Sequence, residues 1–195
     1  MSRNWQSLYD KITGLSRSRS TPKKPTSVVL DRFEDRSGIA FPAAYQEFIL
    51  VFGAGQLLLT NKEGVEVVRF EFWCPECDGP QYDMTENNLT VQEMLDSDDY
   101  PEQLTRCCFF GEYASSKSGY ISGDYLGWDC ASSASPEADY SVHLLPRDQH
   151  TSLMIAPSFR QFLEVACFDN VWIDPITHEA LEICQRHFDP ALPLS

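Results

Sequence analysis

Residues 30–55, LDRFEDRSGIAFPAAYQEFILVFGAG, predict two short helices in succession. Gly38 suits the left-handed backbone position that follows a helix end, so the first helix stops there. Pro42 fits the first turn of a second helix, because its missing N–H would have no partner at that position. Apolar residues then repeat at helical spacing: Tyr45, Phe48, Ile49 and Phe52. Gly53 closes this second helix.

A β-hairpin is predicted directly after the second helix. Residues 56–60 and 65–73 are rich in β-branched and aromatic side chains, and residues 61–64 provide a four-residue connection. The apolar alternation changes between Val67 and Val68. This change indicates a bulge at that point, or burial on both faces of the strand.

The rest of the chain adds strands and then helices. Further strands are predicted at 105–110, 119–125 and 140–145, with a loop at 132–136. Capping boxes at 90–93 and 158–161 each begin a helix, and Asp174 with Pro175 opens a last helix that runs to about His187. Helices, then mostly antiparallel strands, then helices is the order of an α+β fold rather than of alternating βαβ units.

The first 27 residues predict a basic N-terminal helix and linker, ahead of a domain at 28–195 with a C-terminal helical extension. Four residues fall on one helical face: Trp5, Leu8, Tyr9 and Ile12. Residues 16–27, SRSRSTPKKPTS, are polar, basic and interrupted by prolines, which is typical of a linker. Since a short isolated helix is weakly stable, its apolar face must dock, either on this domain or on a partner.

The composition is that of one globular domain with a single core. A chain of 195 residues, 43% of them hydrophobic, is long enough for such a core. No apolar run suits a signal peptide or a membrane span, so we expect a cytoplasmic protein that does not bind membranes. Seven cysteines, an odd number, favour buried thiols over a disulfide framework.

The net charge of −14 is unevenly distributed. Residues 1–30 carry six Lys or Arg and one Asp, whereas the rest of the chain carries nine basic and 28 acidic residues. Ten carboxylates and no Lys or Arg fall between Glu71 and Glu102. An acidic domain repels phosphate backbones and attracts basic proteins, which argues against nucleic acid as the partner. Acidic charge also keeps a protein soluble, so the charge alone does not decide between a basic partner and solubility.

Aromatic residues accompany these acids: Tyr82, Tyr100, Tyr113, Tyr120, Tyr125 and Trp128. Aromatic side chains combined with one sign of charge are typical of a protein-binding surface.

Cys74 and Cys77 form the sharpest local motif, a Cys-x-x-Cys. Redox chemistry requires a helix N-terminus that lowers the pKa of the first thiol, yet residues 78–80, DGP, break a helix. A zinc site would also require Cys107 and Cys108, and adjacent residues of a strand point to opposite faces. We therefore expect two structural thiols, no metal and no cofactor.

No other motif indicates catalysis. The four histidines lack a metal-ligand spacing, and no serine lies in a Gly-x-Ser-x-Gly elbow. The acidic run at 96–99 lacks the glycine and the spaced glutamate of a calcium loop. We expect no catalytic residues.

The stretch at 30–55 resembles the opening of the Smi/Knr-like domain of the SUKH superfamily. The positions that carry the resemblance are Phe33, Glu34, Gly38, Phe41, Pro42, Tyr45, Phe48, Gly53 and Gly55. Residues 110–112, 123–129 and 140–143 and the sequence APSFRQFL at 156–163 are similar to later motifs of that family, in the same order. The resemblance covers about residues 28–166. It departs from the family at Phe52, where an Asn is usual, in the cysteine loop and in both tails.

The resemblance implies a mostly antiparallel sheet flanked by N- and C-terminal helices, without catalytic residues. Bacterial members often act as immunity proteins that bind a toxin, whereas fungal relatives act as signalling scaffolds for cell-wall synthesis. Two hypotheses therefore lead, a protein that neutralises a basic toxin and an intracellular regulatory scaffold. A third, a thiol or zinc enzyme, stays open only through Cys74 and Cys77. The candidates for a partner-binding face are Glu112, Tyr113, Asp124, Trp128 and Asp129.

Overall fold

The computed structural model describes residues 5–13, 24–77, 80–97, 104–117, 124–131, 139–147 and 151–191. The helices are α1 (Trp5–Thr13), α2 (Ser27–Ser37), α3 (Ala43–Phe52), α4 (Met84–Ser97) and α5 (Phe159–Phe168). The strands are β1 (Gly55–Thr60), β2 (Glu66–Phe72), β3 (Cys107–Ser115), β4 (Asp124–Asp129), β5 (Val142–Leu145), β6 (Leu153–Ala156), β7 (Val171–Ile173), β8 (Ala180–Glu182) and β9 (Gln185–Pro190). Short 3-10 turns span Pro80–Tyr82 and Leu104–Arg106.

Seven strands form one antiparallel sheet in the order β6-β5-β4-β3-β2-β1-β9. Strands β1 to β6 are neighbours in chain order, so the middle of the chain is a meander. Strand β9 then returns to pair with β1, and β7 pairs with β8 in a separate hairpin. This architecture confirms the predicted α+β class.

Aromatic side chains fill the space between the sheet and helices α3 and α5. The ring of Phe72 in β2 lies 4.7 Å from that of Phe48 in α3, measured between centroids. Phe110 in β3 meets Phe159 in α5 edge to face at 5.1 Å. Pairs of this kind add to the stability that the burial of their area supplies. We call the side of the sheet that α3 and α5 cover the inner face, and the opposite side the outer face.

The turn between α2 and α3 is held by Glu34. Gly38 follows α2 at φ 70° and donates its N–H to the Glu34 carbonyl at 2.8 Å, which confirms the predicted helix end. The Glu34 carboxylate then accepts from the Phe41 N–H at 2.5 Å and from the Gln46 amide at 3.1 Å. Pro42 directly precedes α3, as its fixed φ favours.

The β1–β2 hairpin contains the predicted bulge. Leu59 pairs with Val68 and Thr60 pairs with Glu66, so Val67 is the extra residue of β2. The bulge explains why two successive valines are both buried although a regular strand would place them on opposite faces.

Helix α1 packs on the domain. Trp5 is 5% exposed, and its ring lies 6.1 Å from Phe48 and 6.2 Å from Phe168. Its indole N–H donates to the Glu47 carboxylate at 3.2 Å. Trp5 and Leu8 of the predicted apolar face are therefore buried against this domain. Residues 14–23, which include most of the predicted linker, lie outside the described residues, and the domain boundary at residue 27 stays a prediction.

Helix α4 begins seven residues earlier than the capping box at Thr90 predicted. The Asp83 carboxylate caps its first turn by accepting from the N–H groups of Thr85 at 2.8 Å and Glu86 at 3.2 Å. The predicted start was wrong because Asp83 supplies the cap. The Thr90 hydroxyl instead donates to the carbonyl of Glu86, one turn back in the same helix.

The predicted helix from Asp174 to His187 was also wrong. The Asp174 carboxylate accepts from the N–H groups of Ile176 at 2.9 Å and Thr177 at 2.8 Å, as a helix cap would. Here it closes the turn between β7 and β8, and His178 in that turn has φ 60°. The following residues form β8 and β9, so the C-terminal extension is made of strands.

The strands predicted at 105–110 and 140–145 are found with shifted ends, whereas the strand predicted at 119–125 is described only at Asp124 and Tyr125, where β4 begins and runs on to Asp129. Strand β3 starts two residues later and continues five residues further than predicted, to Ser115. The capping box at 158–161 is confirmed, since the Ser158 hydroxyl accepts from the Gln161 N–H at 3.1 Å. Residues 119–123 and the loop at 132–136 lie outside the part of the chain that the structure describes.

Candidate partner-binding surface

The five residues predicted for a binding face lie on adjacent strands. Glu112 and Tyr113 belong to β3, and the other three belong to β4. Tyr113 pairs with Asp124, Cys108 pairs with Trp128, and Glu112 pairs with Tyr125. Because side chains alternate along a strand, Glu112 and Asp129 lie on the outer face and the other three on the inner face. The structure therefore splits the predicted set between the two faces.

Trp128 is a core residue. It is 0% exposed and packs between Tyr45 and Phe110, each with its ring centroid 4.8 Å away. A partner cannot touch this ring while the core is closed. The aromatic character that suggested an exposed anchor instead reflects core packing.

Tyr113 and Asp124 are also buried. The Tyr113 hydroxyl donates to the Asp174 carboxylate at 2.7 Å, and burial raises the pKa of Tyr113. Asp124 is 5% exposed and accepts from the Arg147 N–H at 2.9 Å, which fixes the end of β5 against β4. Both side chains hold the fold together. Of the predicted set, only Glu112 and Asp129 keep a larger share of their surface accessible.

A second set of side chains, all polar except Leu58, lies on the outer face of β9, β1, β2 and β3. Strand alternation and register place these residues side by side, and all keep part of their surface exposed. We call the set the open face: Gln56, Leu58, Thr60, Glu66, Arg69, Glu71, Glu112, His187 and Asp189. Their neighbours in sequence, such as Leu57, Phe70 and Phe188, are buried on the inner face.

Two carboxylates face each other at the centre of the open face. Glu71 of β2 and Glu112 of β3 are direct cross-strand partners. They line a depression of about 120 Å³ together with Gln56 and Arg69. The Gln56 amide donates to Glu71 at 2.9 Å. Burial raises the pKa of Glu71, and the Gln56 hydrogen bond and the Arg69 charge oppose that effect only in part.

A larger depression of about 450 Å³ lies beside this pair, towards β9. Its walls include Leu58, Thr60 and Glu66 from the β1–β2 hairpin and His187 and Asp189 from β9. The His187 ring nitrogen Nε2 lies 2.7 Å from the Asp189 carboxylate. The open face is thus a polar, indented surface rather than an apolar groove.

Sequence reasoning missed most of the open face. Glu71 alternates with Val68, Phe70 and Phe72, so its outward orientation could have been read from the pattern. Asp189 lay beyond the mispredicted C-terminal helix, and no local pattern indicated that its segment pairs with β1.

Cys74 of the Cys-x-x-Cys motif is buried and Cys77 is partly buried. A hydrogen bond with Cys77 and burial both raise the pKa of the Cys74 thiol, whereas a nucleophilic thiol requires a lowered pKa. Cys107 lies opposite Asp129 on the outer face and Cys108 opposite Trp128 on the inner face, as strand alternation predicted. Among the described ranges, no group of three or more His, Cys, Asp or Glu side chains could hold a metal ion. The same ranges contain no helix long and apolar enough to cross a membrane.

The family model of the SMI1/KNR4 family (SUKH-1) matches residues 24–165. The chain belongs to this family. The SUKH-1 match runs from the segment before α2 into α5 and contains β1 to β6, which confirms the resemblance seen in the sequence. SUKH-1 proteins are generally non-catalytic. No curated protein and no solved structure matches the chain.

Proposed function

We propose that this protein is a non-enzymatic immunity protein that binds and neutralises a basic protein toxin in the cytoplasm. The proposal rests on the location of the acidic side chains at the surface. Asp124 and Asp174 are the buried acidic residues of the described ranges, so almost all the other described carboxylates face solvent. With a net charge of −14, the surface attracts a basic protein over a distance of about 8 Å at physiological salt.

The chemistry of the fold supports binding rather than catalysis. Catalytic groups are usually tuned towards the working pH by their surroundings. In this chain burial raises the pKa of Cys107 to about 12 and that of Cys130 to about 11, which makes both thiols less reactive. The Asp174 carboxylate accepts hydrogen bonds from Tyr113, Ile176 and Thr177, and these bonds hold β7 and β8 against β3.

Neutralisation can be tested by cloning the open reading frames next to this gene as candidate toxins. Each candidate domain is expressed in a bacterial host with and without the full chain, and growth is followed. We expect the chain to restore growth and to form a stable complex with one purified toxin domain. Binding to a partner whose activity is unchanged would instead support the regulatory scaffold.

A further inference from the structure

The exposed side of α4 combines charge, an apolar side chain and a pocket. The helix lies within residues 71–102, which carry ten carboxylates and no Lys or Arg. Its other side is fixed on β3, because the Asn88 amide donates to the Phe109 carbonyl at 2.6 Å and accepts from the Phe109 N–H at 2.8 Å. Helical spacing places five exposed side chains on one face, which we call the α4 face: Thr85, Glu86, Leu89, Glu93 and Asp96.

The carboxylates of the α4 face do not serve the fold. Among the described residues, Glu86, Glu93 and Asp96 form no ion pair, and their carboxylates accept no hydrogen bond. Glu93 and Asp96 are like charges three residues apart on the helix, which weakens it. Asp96 also lies in the last turn, where the helix dipole disfavours a negative charge. The isolated chain therefore gains no stability from this charge.

An apolar side chain and a pocket adjoin these carboxylates. Leu89 lies at the centre of the α4 face and is 62% exposed. Thr85, one turn earlier, lines a pocket of about 180 Å³ together with Phe33 of α2 and Pro75. Because a cavity of about 150 Å³ holds a benzene ring, this pocket has room for one aromatic or aliphatic side chain.

The charge changes along this surface. Arg36 lines the pocket, but it lies 3.9 Å from the Glu76 carboxylate, which also pairs with Arg32 at 3.0 Å. The pocket end of the surface is therefore close to neutral. The other end carries Glu93 and Asp96 without a counter-charge from the described chain. This polarity suits a segment in which an apolar residue precedes basic residues.

The geometry of the helix sets the spacing of such a segment. Measured along the axis from Thr85, Leu89 lies at about 6 Å, Glu93 at about 12 Å and Asp96 at about 16.5 Å. An extended chain advances about 3.3 Å per residue, so the residues two, four and five places after the one in the pocket come level with these side chains. A second copy of this face would bring like charges together, whereas a basic segment meets both the carboxylates and Leu89.

We propose that the α4 face and the pocket beside it dock a basic segment of the partner, with an apolar side chain in the pocket and Lys or Arg side chains beside Glu93 and Asp96. This inference rests on the proposed function for the nature of the partner. One helix face is smaller than the roughly 800 Å² that each partner contributes to a stable interface, so the segment is one part of a larger contact.

The surface can be tested on the full 195-residue chain with the peptide Ac-Phe-Gly-Leu-Gly-Arg-Arg-NH2, which has this spacing. Backbone amide shifts are recorded by NMR during the titration. We expect the amides of Thr85, Leu89 and Glu93 to shift first and to saturate. A peptide with citrulline in place of both arginines has nearly the same shape without the charge. It should bind about threefold more weakly, as the loss of two exposed ion pairs predicts.

Matched variants locate the effect. Glu93→Gln combined with Asp96→Asn should weaken the arginine peptide by about threefold without lowering the thermal midpoint. Leu89→Ala should weaken both peptides. The controls are Glu182→Gln, which removes an exposed carboxylate of β8, and Met154→Ala, which removes an apolar side chain of β6 that is 65% exposed. Both controls should leave the titration unchanged.

A separate variant tests the pocket. Thr85→Trp fills it and should abolish the difference in affinity between the arginine peptide and the same peptide with Gly in place of Phe. A titration without a saturable shift, shifts spread over the whole acidic surface, or equal effects of site and control variants would overturn the inference. A lower thermal midpoint in the Glu93 and Asp96 double variant would also overturn it, because these carboxylates would then serve the fold.

The proposed function can fail independently of the surface. If a toxin is neutralised but the α4 variants change neither its association nor its dissociation rate, the docking surface is wrong while the proposed function stands. If the peptides bind the α4 face as expected but no candidate toxin is neutralised, the surface stands and the proposed function fails.

Discussion

Asp174 ties the β7–β8 hairpin to the centre of the sheet, and its removal gives the sharpest test of the fold. It is 0% exposed, and its carboxylate accepts from the hydroxyls of Tyr113 and Ser115 and from the N–H groups of Ile176 and Thr177. Burial alone would raise the pKa of this carboxyl group, but the four hydrogen bonds outweigh burial and lower the pKa. The ionised carboxylate therefore stabilises the native state.

Replacing Asp174 with Ala leaves the hydroxyls of Tyr113 and Ser115 buried without their acceptor. Each such loss costs about 1–3 kcal/mol, whereas water can satisfy the turn N–H groups, which lie near the surface. We expect Asp174→Ala to lower the free energy of unfolding by about 3–5 kcal/mol. For a chain of this size, that corresponds to a thermal midpoint lower by about 6–20 °C.

Urea unfolding at neutral pH, followed by tryptophan fluorescence, measures this difference. Trp172 reports on the site directly, because its indole N–H donates to the Tyr113 hydroxyl at 3.2 Å. Asp35→Ala removes an exposed carboxylate of α2 and should change stability by less than about 0.5 kcal/mol. A loss below about 1 kcal/mol in Asp174→Ala would refute the assigned role of the network.

The sign of the pH dependence follows from the lowered pKa. A carboxyl group whose pKa is lower in the folded state stabilises the fold above its unfolded pKa, about 3.9, and loses that contribution as the pH falls through the folded value. The difference between wild type and Asp174→Ala should therefore shrink below about pH 4. A difference that stays constant in acid would contradict the ionised state of Asp174.

Three further outcomes are expected. Trp5→Ala should lower the free energy of unfolding by about 3 kcal/mol, because the ring is buried against Phe48 and Phe168. Thermal unfolding measures this loss, and a midpoint lowered by less than about 3 °C would contradict it. Association with the toxin should slow several-fold between about 0.05 and 0.5 M salt, and rates that ignore salt would assign the charge to solubility alone. In the native protein the exposed Cys184 should react fastest with a disulfide reagent, and a fast phase that survives Cys184→Ser would contradict the described burial.

The helical opening of the domain was predictable because its signals are local. Gly38 and Pro42 set the helix boundaries through their own backbone preferences. The parity change at Val67 indicated a bulge or burial on both faces, and the strand register shows the bulge. Where one residue's conformational preference decides the structure, the pattern is sufficient.

The binding residues were less predictable, because an exposed and a buried aromatic residue look alike until the pairing of strands is known. In β4, Asp124, Leu126 and Trp128 share one parity, so the apolar Leu126 indicated that Trp128 lies on the inner face. The Asp124 side chain points to the inner face, and its carboxylate accepts a hydrogen bond from the Arg147 N–H. No local sequence pattern predicts that contact.

Asp174 illustrates a deeper limit of local reasoning. A carboxylate that accepts from the N–H groups two and three residues ahead is found both at helix starts and in turns, so Asp174 and Pro175 fit either structure. Tertiary contacts decide between the helix and the turn: the hydrogen bonds from Tyr113 and Ser115, and the pairing of β9 with β1. Such contacts outweigh the small differences in intrinsic propensity.

The strand β9 also bears on specificity. The match to the SMI1/KNR4 family ends at residue 165, so β9, which contributes His187 and Asp189 to the open face, lies outside the matched segment. The Glu71–Glu112 pair lies within it. Strand β9 pairs with β1 and forms one wall of the larger depression. If the proposed partner contacts this wall, β9 helps to distinguish one partner from another, because partner choice is a difference between affinities.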